Sequence, residues 1–355
     1  MRILFATAMA AALLAGPALA QTQPPALNVP PVIPDAPKVI VEHAIVHGVS
    51  LEGNLEGDSP DRDLIVYLPP DYYTNKTKRY PVVYALHGYS ISNEKWTTEI
   101  RTPQTVEGAF ATGTKGMIVV LPNAQTLHNG SMYSNSATTG NWERFIAVEV
   151  VHYIAAHYRT LADRDSRGLA GHSMGGYGTV RIGMKYPDVF GSLYIMSPCC
   201  LSARKAFSPE TEAKFSQITT IDQSKSLSFG DRATFASAAA WSPNPQKPPF
   251  YFDLPIGSDA DKAKVLARWA ANAPLAMVDQ YIFNLRQYHA IAMDVGDQDG
   301  LRVDAGELHR ILDSYGIANS FEIYSGTHIS AVADRFQNHV LPFFSQNLSF
   351  EARKK

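Results

Sequence analysis

The stretch Leu169-Ala170-Gly171-His172-Ser173-Met174-Gly175-Gly176 is the most informative part of this chain, because it contains the pattern G-x-S-x-G centred on Ser173. Residues 167–170 before it are strand-like, and residues 176–185 after it have a helical pattern. A serine at such a strand-to-helix turn takes a strained backbone conformation that exposes its hydroxyl, and glycines two residues away on each side avoid a Cβ clash. The pattern therefore predicts Ser173 as a nucleophile.

The composition is that of a large globular chain. It has 355 residues, of which 45% are hydrophobic and 18% are charged. This is enough apolar material for a large core, and it is unlike the composition of a disordered chain. The formal net charge is -2 and no basic patch stands out, so nucleic acid is not an expected partner.

Residues Met1 to Ala20 have the pattern of a secretory signal peptide. Arg2 supplies a positive charge, an apolar run extends from Ile3 to Ala15, and Ala18-Leu19-Ala20 has the form of a cleavage site. The run is shorter than the roughly 20 apolar residues that span a bilayer, which disfavours an uncleaved anchor. No later segment qualifies as a membrane span. We therefore expect cleavage near Ala20 and a periplasmic or secreted protein.

The rest of the chain is expected to form one domain behind an N-terminal arm. Residues 21–40 are the proline-rich arm, and residues 41–350 are the domain. Within it, residues 202–274 break the pattern and are expected to form a cap-like insertion with short helices over the top of the sheet. Cys199 and Cys200, just before the insertion, form either a strained vicinal disulfide or two buried thiols.

Short apolar runs alternate with helical patterns through the domain. The first two strands are expected to pair antiparallel, and the continuous apolar runs that follow are typical of strands buried on both faces of a parallel sheet. The alternation predicts an α/β fold with a mostly parallel sheet covered by helices on both faces. The predicted strands are residues 47–55, 63–68, 81–86, 117–121, 167–170, 192–196, 290–295 and 320–324. The main predicted helices are residues 142–158, 176–185, 304–315 and 331–346. Asp304 and Glu307 are expected to form a capping box at the start of the third of these helices.

A serine hydroxyl needs a base to become a nucleophile, and the base needs a group that orients it. In the α/β-hydrolase order the acid follows the serine and the histidine comes last. Gly296-Asp297-Gln298-Asp299-Gly300 follows the next-to-last strand and offers two carboxylates, Asp297 and Asp299. The run also resembles a calcium loop, but Leu301 stands where an oxygen ligand is needed. His328 follows the last strand and is the expected base.

Two further roles can be assigned from position along the chain. The oxyanion of a tetrahedral intermediate needs hydrogen-bond donors, and the expected pair is the backbone N–H groups of Met174 and Tyr89. Met174 follows the nucleophile directly, and Tyr89 lies in the loop after the strand at residues 81–86. Trp142 and Trp241 lie near the expected catalytic edge and are candidate substrate contacts, with a place in the core as the alternative.

Together these motifs resemble the esterase D-like branch of the α/β-hydrolases. That branch includes S-formylglutathione hydrolases, feruloyl and acetylxylan esterases, enterochelin-type esterases and the antigen 85 mycolyltransferases. The resemblance spans residues 45–348, and its most specific part is the run from Gly171 to Tyr177. Its other parts are Val66-Tyr67-Leu68-Pro69-Pro70, Tyr80-Pro81-Val82-Val83-Tyr84 leading to His87-Gly88, Gly296 to Asp299, and Gly326 to His328.

The resemblance implies an α/β-hydrolase fold and a serine esterase, with Ser173 as nucleophile and His328 as base and acid. It favours Asp299 as the orienting carboxylate, because a Gly-x-x-Asp turn after this strand is usual in these hydrolases, and Asp297 is the alternative. It implies no metal and no organic cofactor. The export signal favours exported or environmental substrates, such as feruloylated or acetylated sugars or siderophore esters, over the cytosolic formylglutathione role. Residues 202–274 depart from the family pattern, which leaves the substrate open.

Three functions are therefore compared. The first is a secreted or periplasmic carboxylesterase that acts on a small-molecule or glycan ester. The second is an acyltransferase of the mycolyltransferase type, in which a sugar hydroxyl replaces water and the catalytic residues are the same. The third is a non-catalytic binding protein on a hydrolase scaffold, which a missing triad member would indicate; all three candidates are present in the chain. The sequence does not predict an oligomeric state.

Overall fold

The computed structural model describes residues 27–352, so the predicted signal peptide at residues 1–20 lies outside the described residues. Within that range, eight strands form the main sheet. They are β1 (Ile40–His47), β2 (Asp61–Leu68), β3 (Val82–Leu86), β4 (Ile118–Pro122), β5 (Arg167–His172), β6 (Ser192–Met196), β7 (Ala290–Gly296) and β8 (Ser320–Tyr324).

The sheet is mostly parallel, as the alternating pattern predicts. Its strand order is β1-β2-β4-β3-β5-β6-β7-β8. β1 pairs antiparallel with β2 and β2 with β4, whereas β3 to β8 all run in the same direction. The carboxyl ends of β3, β5, β7 and β8 therefore meet at one edge of the sheet. In open α/β sheets this is the edge where ligands bind.

The helices cover both faces of the sheet. Two of them, α3 and α12, contain a π-helical middle part between α-helical ends. The helices are α1 (Asn93–Glu99), α2 (Thr102–Ala111), α3 (Trp142–Arg144, Phe145–Val150 and Val151–His157), α4 (Met174–Lys185), α5 (Pro209–Ser216), α6 (Ile221–Lys225), α7 (Phe229–Trp241), α8 (Asp259–Ala270), α9 (Pro274–Met277), α10 (Ile282–Leu285), α11 (Arg302–Ser314) and α12 (Val332–Arg335, Phe336–Val340 and Leu341–Asn347). Short 3₁₀ turns lie at Val49–Leu51, Arg164–Ser166 and Val278–Tyr281.

Two apolar cores hold these layers together, one on each face. One face packs against α1, α2 and α12 through side chains such as Trp96, Val106 and Phe336. The other face packs against α3, α4 and α11 through side chains such as Phe145 and Leu308. The strands β3, β4 and β6 are buried along their whole length, which explains their continuous apolar sequence.

Two local predictions are wrong. The first strand was predicted at residues 47–55, but β1 occupies Ile40–His47, and Val49–Leu51 within the predicted range forms a 3₁₀ turn. Gly48, directly after β1, lies so close to Phe145 that a Cβ at this position would be 2.7 Å from the ring. The helix α11 begins before Asp304, so no capping box forms, and the Asp304 carboxylate accepts a hydrogen bond from Ser202 N–H instead.

Residues 202–274 contain four helices, α5 to α8. Large aromatic side chains of this stretch, among them Phe235, Trp241 and Trp269, belong to the same apolar core as the sheet. At its start, α7 places Phe229 at the cavity described below. This stretch is therefore packed onto the domain and contributes to the surface around the site.

No helix among residues 27–352 combines the length and the apolar character that crossing a bilayer requires.

Candidate active site

Ser173 lies at the sharp turn between β5 and α4. Its backbone has φ 59° and ψ -112°, a conformation that is unfavourable for any residue with a Cβ. Hydrogen bonds hold the turn in place: Ser173 N–H donates to Met196 O at 3.0 Å, and Cys199 N–H donates to Ser173 O at 3.1 Å. The turn is also crowded, because a Cβ at Gly171 would collide with the backbone of Gly175. The glycines of G-x-S-x-G are therefore required by close backbone approach.

A chain of hydrogen bonds connects three of the predicted site residues. Ser173 Oγ lies 2.9 Å from His328 Nε2, and His328 Nδ1 lies 2.7 Å from Asp299 Oδ2. With the proton on Nδ1, the imidazole donates to Asp299 and accepts from the Ser173 hydroxyl. The structure thus brings together residues that are 155 and 29 positions apart in the chain. The geometry is that of a nucleophile, a base and an orienting carboxylate.

The Asp299 carboxylate is buried, with 4% of the residue exposed. Burial alone would favour its neutral form, but hydrogen bonds from His328 and from Leu301 N–H outweigh that effect and lower the pKa of Asp299. The group is therefore a carboxylate at neutral pH. It can orient His328 and stabilise a positive charge on the imidazole.

The alternative carboxylate, Asp297, has a different partner. Its Oδ1 accepts a hydrogen bond from Gly326 N–H at 2.9 Å, and its own N–H donates to Tyr324 O at 2.8 Å. These bonds join the end of β7 to the loop that leads to His328. Asp297 therefore stabilises that loop, while Asp299 contacts the imidazole.

His172, directly before the nucleophile, holds the backbone of His328 through a hydrogen bond. Its Nε2–H donates to the backbone carbonyl of His328 at 2.8 Å, and the two rings lie 4.8 Å apart between centroids. Burial, together with the adjacent His328, lowers the pKa of His172 to about 3, so its ring is neutral at physiological pH. The ring is a fixed donor that holds the His328 backbone in place.

The two residues predicted to form the oxyanion hole flank the nucleophile. Met174 is the first residue of α4, so its backbone N–H belongs to the unpaired helix N-terminus. Tyr89 lines the same cavity as Ser173, and its hydroxyl donates to His128 O at 3.0 Å. Both side chains pack around Gly130, where a Cβ would lie 2.6 Å from Met174 Sδ and 2.8 Å from Tyr89 Cδ2. The loop containing Gly130 therefore supports both residues.

A cavity of about 220 Å³ opens beside Ser173 and His328. Its wall is mostly apolar, and Glu99 contributes a carboxylate. Tyr89 and Phe229 meet edge to face at its border, with ring centroids 5.3 Å apart. An apolar wall of this kind favours an apolar group on the substrate. The apolar lining residues include Leu27, Ile91, Trp96, Ile100, Ile329 and Val332.

Trp142 and Trp241 do not line this cavity, which corrects their assignment as substrate contacts. Trp142 is 1% exposed, and its indole N–H donates to Thr139 O. Trp241 is 4% exposed, and its indole N–H donates to Ser134 Oγ. Both rings therefore fill the core, with their polar atoms satisfied inside the protein.

The two cysteines after β6 are free thiols in the structure. Cys199 contacts the nucleophile turn through the backbone bond to Ser173 O described above. Among the described residues, no group of three or more His, Cys, Asp or Glu side chains is arranged to hold a metal ion.

Comparison with known proteins identifies the family. The family model named Esterase, with the description "Putative esterase", matches residues 59–337, which is more than half of the chain. The chain belongs to this esterase family. The matched range includes Ser173, Asp299 and His328. The resemblance to the esterase D-like branch is thereby confirmed.

Curated relatives of this family member match it over part of their length. Esterase Rv1288 of Mycobacterium tuberculosis (strain ATCC 25618 / H37Rv) is 35% identical over 131 residues, which is 36% of this chain and 27% of the relative. The endo-1,4-beta-xylanase/feruloyl esterase of Xylanibacter ruminicola is 31% identical over 138 residues, which is 37% of this chain and 19% of the relative. The match thus spans less than a third of each relative.

Solved structures match over nearly the whole domain. A ferulic acid esterase superposes with a TM-score of 0.63 at 23% identity, covering 88% of this chain and 99% of its own. This similarity confirms the predicted α/β-hydrolase fold.

Sequence reasoning missed most of the cavity wall. Ile329 could have been found, because it follows His328 directly. Leu27 and Phe229 carry no such signal, since they lie 146 and 56 positions from Ser173 and belong to no recognised motif. Only the folded structure brings them to the cavity.

Proposed function

We propose that this chain is a serine carboxylesterase that hydrolyses carboxylic esters through an acyl-enzyme on Ser173. The proposal rests on the chain of hydrogen bonds at the cavity, in which Ser173 Oγ lies 2.9 Å from His328 Nε2 and His328 Nδ1 lies 2.7 Å from Asp299 Oδ2. A non-catalytic scaffold would have no need of this ordered arrangement with its buried carboxylate. Membership of the esterase family supports the same reaction.

In the first half of the reaction, His328 Nε2 accepts the proton of the Ser173 hydroxyl while Oγ attacks the ester carbonyl carbon. The carbonyl oxygen becomes an oxyanion, which accepts hydrogen bonds from the backbone N–H groups of Met174 and Tyr89. His328 then donates its proton to the departing alkoxide. The products are an alcohol and an ester between the acyl group and Ser173.

In the second half, water takes the place of the alcohol. His328 accepts a proton from the water as its oxygen attacks the acyl carbon, and then returns that proton to Ser173 Oγ as the acyl–serine bond breaks. Asp299 remains a carboxylate throughout and holds the imidazolium that forms in each half. The carboxylic acid then leaves.

The cavity supports esters with an apolar acyl group. Feruloyl and acetyl esters of sugars, and siderophore esters, are the candidate substrates. Among these, the feruloyl group is supported by the aromatic pair of Tyr89 and Phe229 at the cavity border and by the feruloyl esterase relative.

We also propose that the protein acts in the periplasm or outside the cell after cleavage near Ala20. Mass spectrometry of the mature N-terminus, which should begin near Gln21, tests that placement.

The test is hydrolysis of p-nitrophenyl acetate, butyrate and octanoate by the wild type and by Ser173→Ala. We expect the variant to lose at least about 10⁴-fold in kcat, because the remaining groups cannot supply a nucleophile. A fluorophosphonate probe should label the wild type on the Ser173 peptide and leave the variant unlabelled. Equal activity in the two proteins would refute the mechanism.

A further inference from the structure

The N-terminal arm reaches the cavity at Ser173. Leu27, the first residue that the structure describes, is one of the residues that line it. Leu27 lies far from the catalytic residues in sequence and belongs to none of the recognised motifs. The arm therefore contributes to the substrate site as well as covering the domain surface.

The described part of the arm, residues 27–40, is held against the domain near both of its ends. Asn28 N–H donates to Ser330 O at 2.6 Å, which attaches the arm to the loop that carries His328. Gln104 Nε2 on α2 donates to Pro30 O at 2.6 Å. At the other end, Lys38 Nζ lies 2.9 Å from Glu107 Oε2, also on α2.

The prolines of the arm lower the conformational entropy that is lost when the arm docks on the domain. Pro30, Pro31, Pro34 and Pro37 fix the backbone φ at four of the positions between Leu27 and Val39. An arm with less freedom in the unfolded chain loses less conformational entropy when it docks. Leu27 is therefore presented at a defined place beside the His328 loop.

Leu27 belongs to an apolar rim at the cavity mouth, formed by Leu27, Phe229 and Ile329. These side chains are 38%, 60% and 39% exposed, although each is large and apolar. They come from the arm, from α7 and from the His328 loop, yet all three line the same cavity. Exposed apolar side chains that converge on a cavity mark a surface that another apolar group covers.

We propose that Leu27 is a specificity-determining residue that contacts the distal part of an apolar acyl chain while the ester carbonyl lies at Ser173. The inference rests on the proposed function and adds the substrate class: esters whose acyl group is long enough to leave the inner cavity and touch the rim. Short acyl groups such as acetyl end before the rim. Leu27 therefore increases the preference for longer chains over acetate.

The test compares Leu27→Ser with Val32→Ser. Val32 lies in the same arm and is 59% exposed, but it does not line the cavity, so it is the matched control. The ratio of kcat/KM for p-nitrophenyl octanoate to that for p-nitrophenyl acetate should fall about fivefold in Leu27→Ser, because apolar contact area is lost. Val32→Ser should keep the wild-type ratio. An unchanged ratio in Leu27→Ser, or an equal fall in both variants, would overturn the proposal.

A binding measurement separates this proposal from the proposed function. Octanamide and acetamide are titrated calorimetrically into Ser173→Ala, alone and combined with Leu27→Ser or Val32→Ser. We expect Leu27→Ser to raise the Kd for octanamide about fivefold, while Val32→Ser leaves it unchanged. Octanamide affinity that does not respond to Leu27→Ser refutes the rim contact. If the wild type hydrolyses no ester, the esterase mechanism fails, and the octanamide result still decides the role of Leu27.

Discussion

The sheet edge beneath the cavity and the rim above it differ in their physical character. At the edge, Ser173, Asp299 and His172 are each at most 9% exposed, and hydrogen bonds fix their positions. At the rim, Leu27 and Phe229 are exposed and make their contribution through apolar surface. Bond-making groups need one fixed geometry, whereas apolar contact depends mainly on area. We therefore expect the edge to govern the rate for every substrate and the rim to govern the choice among them.

The largest expected effect separates two neighbouring carboxylates of the edge. Asp299→Asn should lower kcat about 10⁴-fold for all esters, because a neutral amide does not stabilise the imidazolium, and its NH2 group can donate to Nδ1 and hold the tautomer in which Nε2 cannot accept the Ser173 proton. Asp297→Asn is the matched control, since the amide oxygen can still accept the hydrogen bond from Gly326 N–H. Its kcat should stay within about tenfold of the wild type. A larger loss in Asp297→Asn than in Asp299→Asn would reverse the assignment.

The protein should also become less stable in acid, because two histidines near this edge of the sheet are buried. Burial lowers the pKa of His87 to about 4 and that of His172 to about 3, whereas both groups have an ordinary pKa of 6.5 when unfolded. The unfolded chain therefore binds more protons below pH 6.5, so the free energy of unfolding falls as the pH falls through that value. Each histidine accounts for about 3 kcal/mol at pH 4, at about 1.4 kcal/mol per pKa unit.

Urea unfolding of the wild type and of His87→Gln, between pH 7 and pH 4, measures this effect. The variant should be less stable at pH 7, because His87 bonds both Gly88 O and Ala124 N–H, but its stability should change less with pH. His152→Gln, at an exposed helical position, is the control and should follow the wild type. Parallel pH curves for wild type and His87→Gln would contradict the prediction.

A smaller effect is expected from removing the hydrogen bond by which His172 holds the His328 backbone. His172→Phe keeps a ring of similar size but removes the donor to the His328 carbonyl, which is left without that bond. We expect kcat to fall about tenfold with little change in KM, since a supporting bond acts on the position of the base. His309→Phe, on α11 and away from the cavity, should leave both constants unchanged. A change in KM alone would assign His172 to substrate binding instead.

The smallest effect concerns the rim. Phe229→Ala should lower the octanoate-to-acetate ratio of kcat/KM about threefold to fivefold through lost contact area. Phe283→Ala is the matched control, because Phe283 is 79% exposed and does not line the cavity. Equal loss for all three p-nitrophenyl esters in Phe229→Ala would mean that the rim affects the chemistry and not the selection of the acyl chain.

The core strands and the ends of those strands could be predicted from the sequence. Buried parallel strands are continuous apolar runs, and their carboxyl ends are visible as the points where polar or glycine-rich turns begin. This is why Ser173, His328 and the pair of carboxylates Asp297 and Asp299 could be selected together from their positions along the chain. The choice between Asp297 and Asp299 could not be made from pattern alone, because both follow the same strand and only their hydrogen-bond partners differ.

Tryptophans near loops could not be assigned in the same way. Trp142 and Trp241 both begin or end a helix, and sequence does not tell which way such a side chain turns. Their indole N–H groups find carbonyl and hydroxyl partners inside the protein, which makes burial favourable. The first strand was misplaced for a related reason, since its extent follows from pairing with β2, from Ile40 opposite Leu68 to His47 opposite Asp61.

Local sequence was sufficient for the α/β class, the nucleophile turn and the order of the candidate catalytic residues. These features depend on periodicity and on turns that few residue types can form. Tertiary packing was needed to show which carboxylate contacts His328, which aromatic side chains are core, and which residues form the rim. Those outcomes depend on contacts between segments far apart in the chain, and the arm that brings Leu27 to the cavity beside Ser173 is one of them.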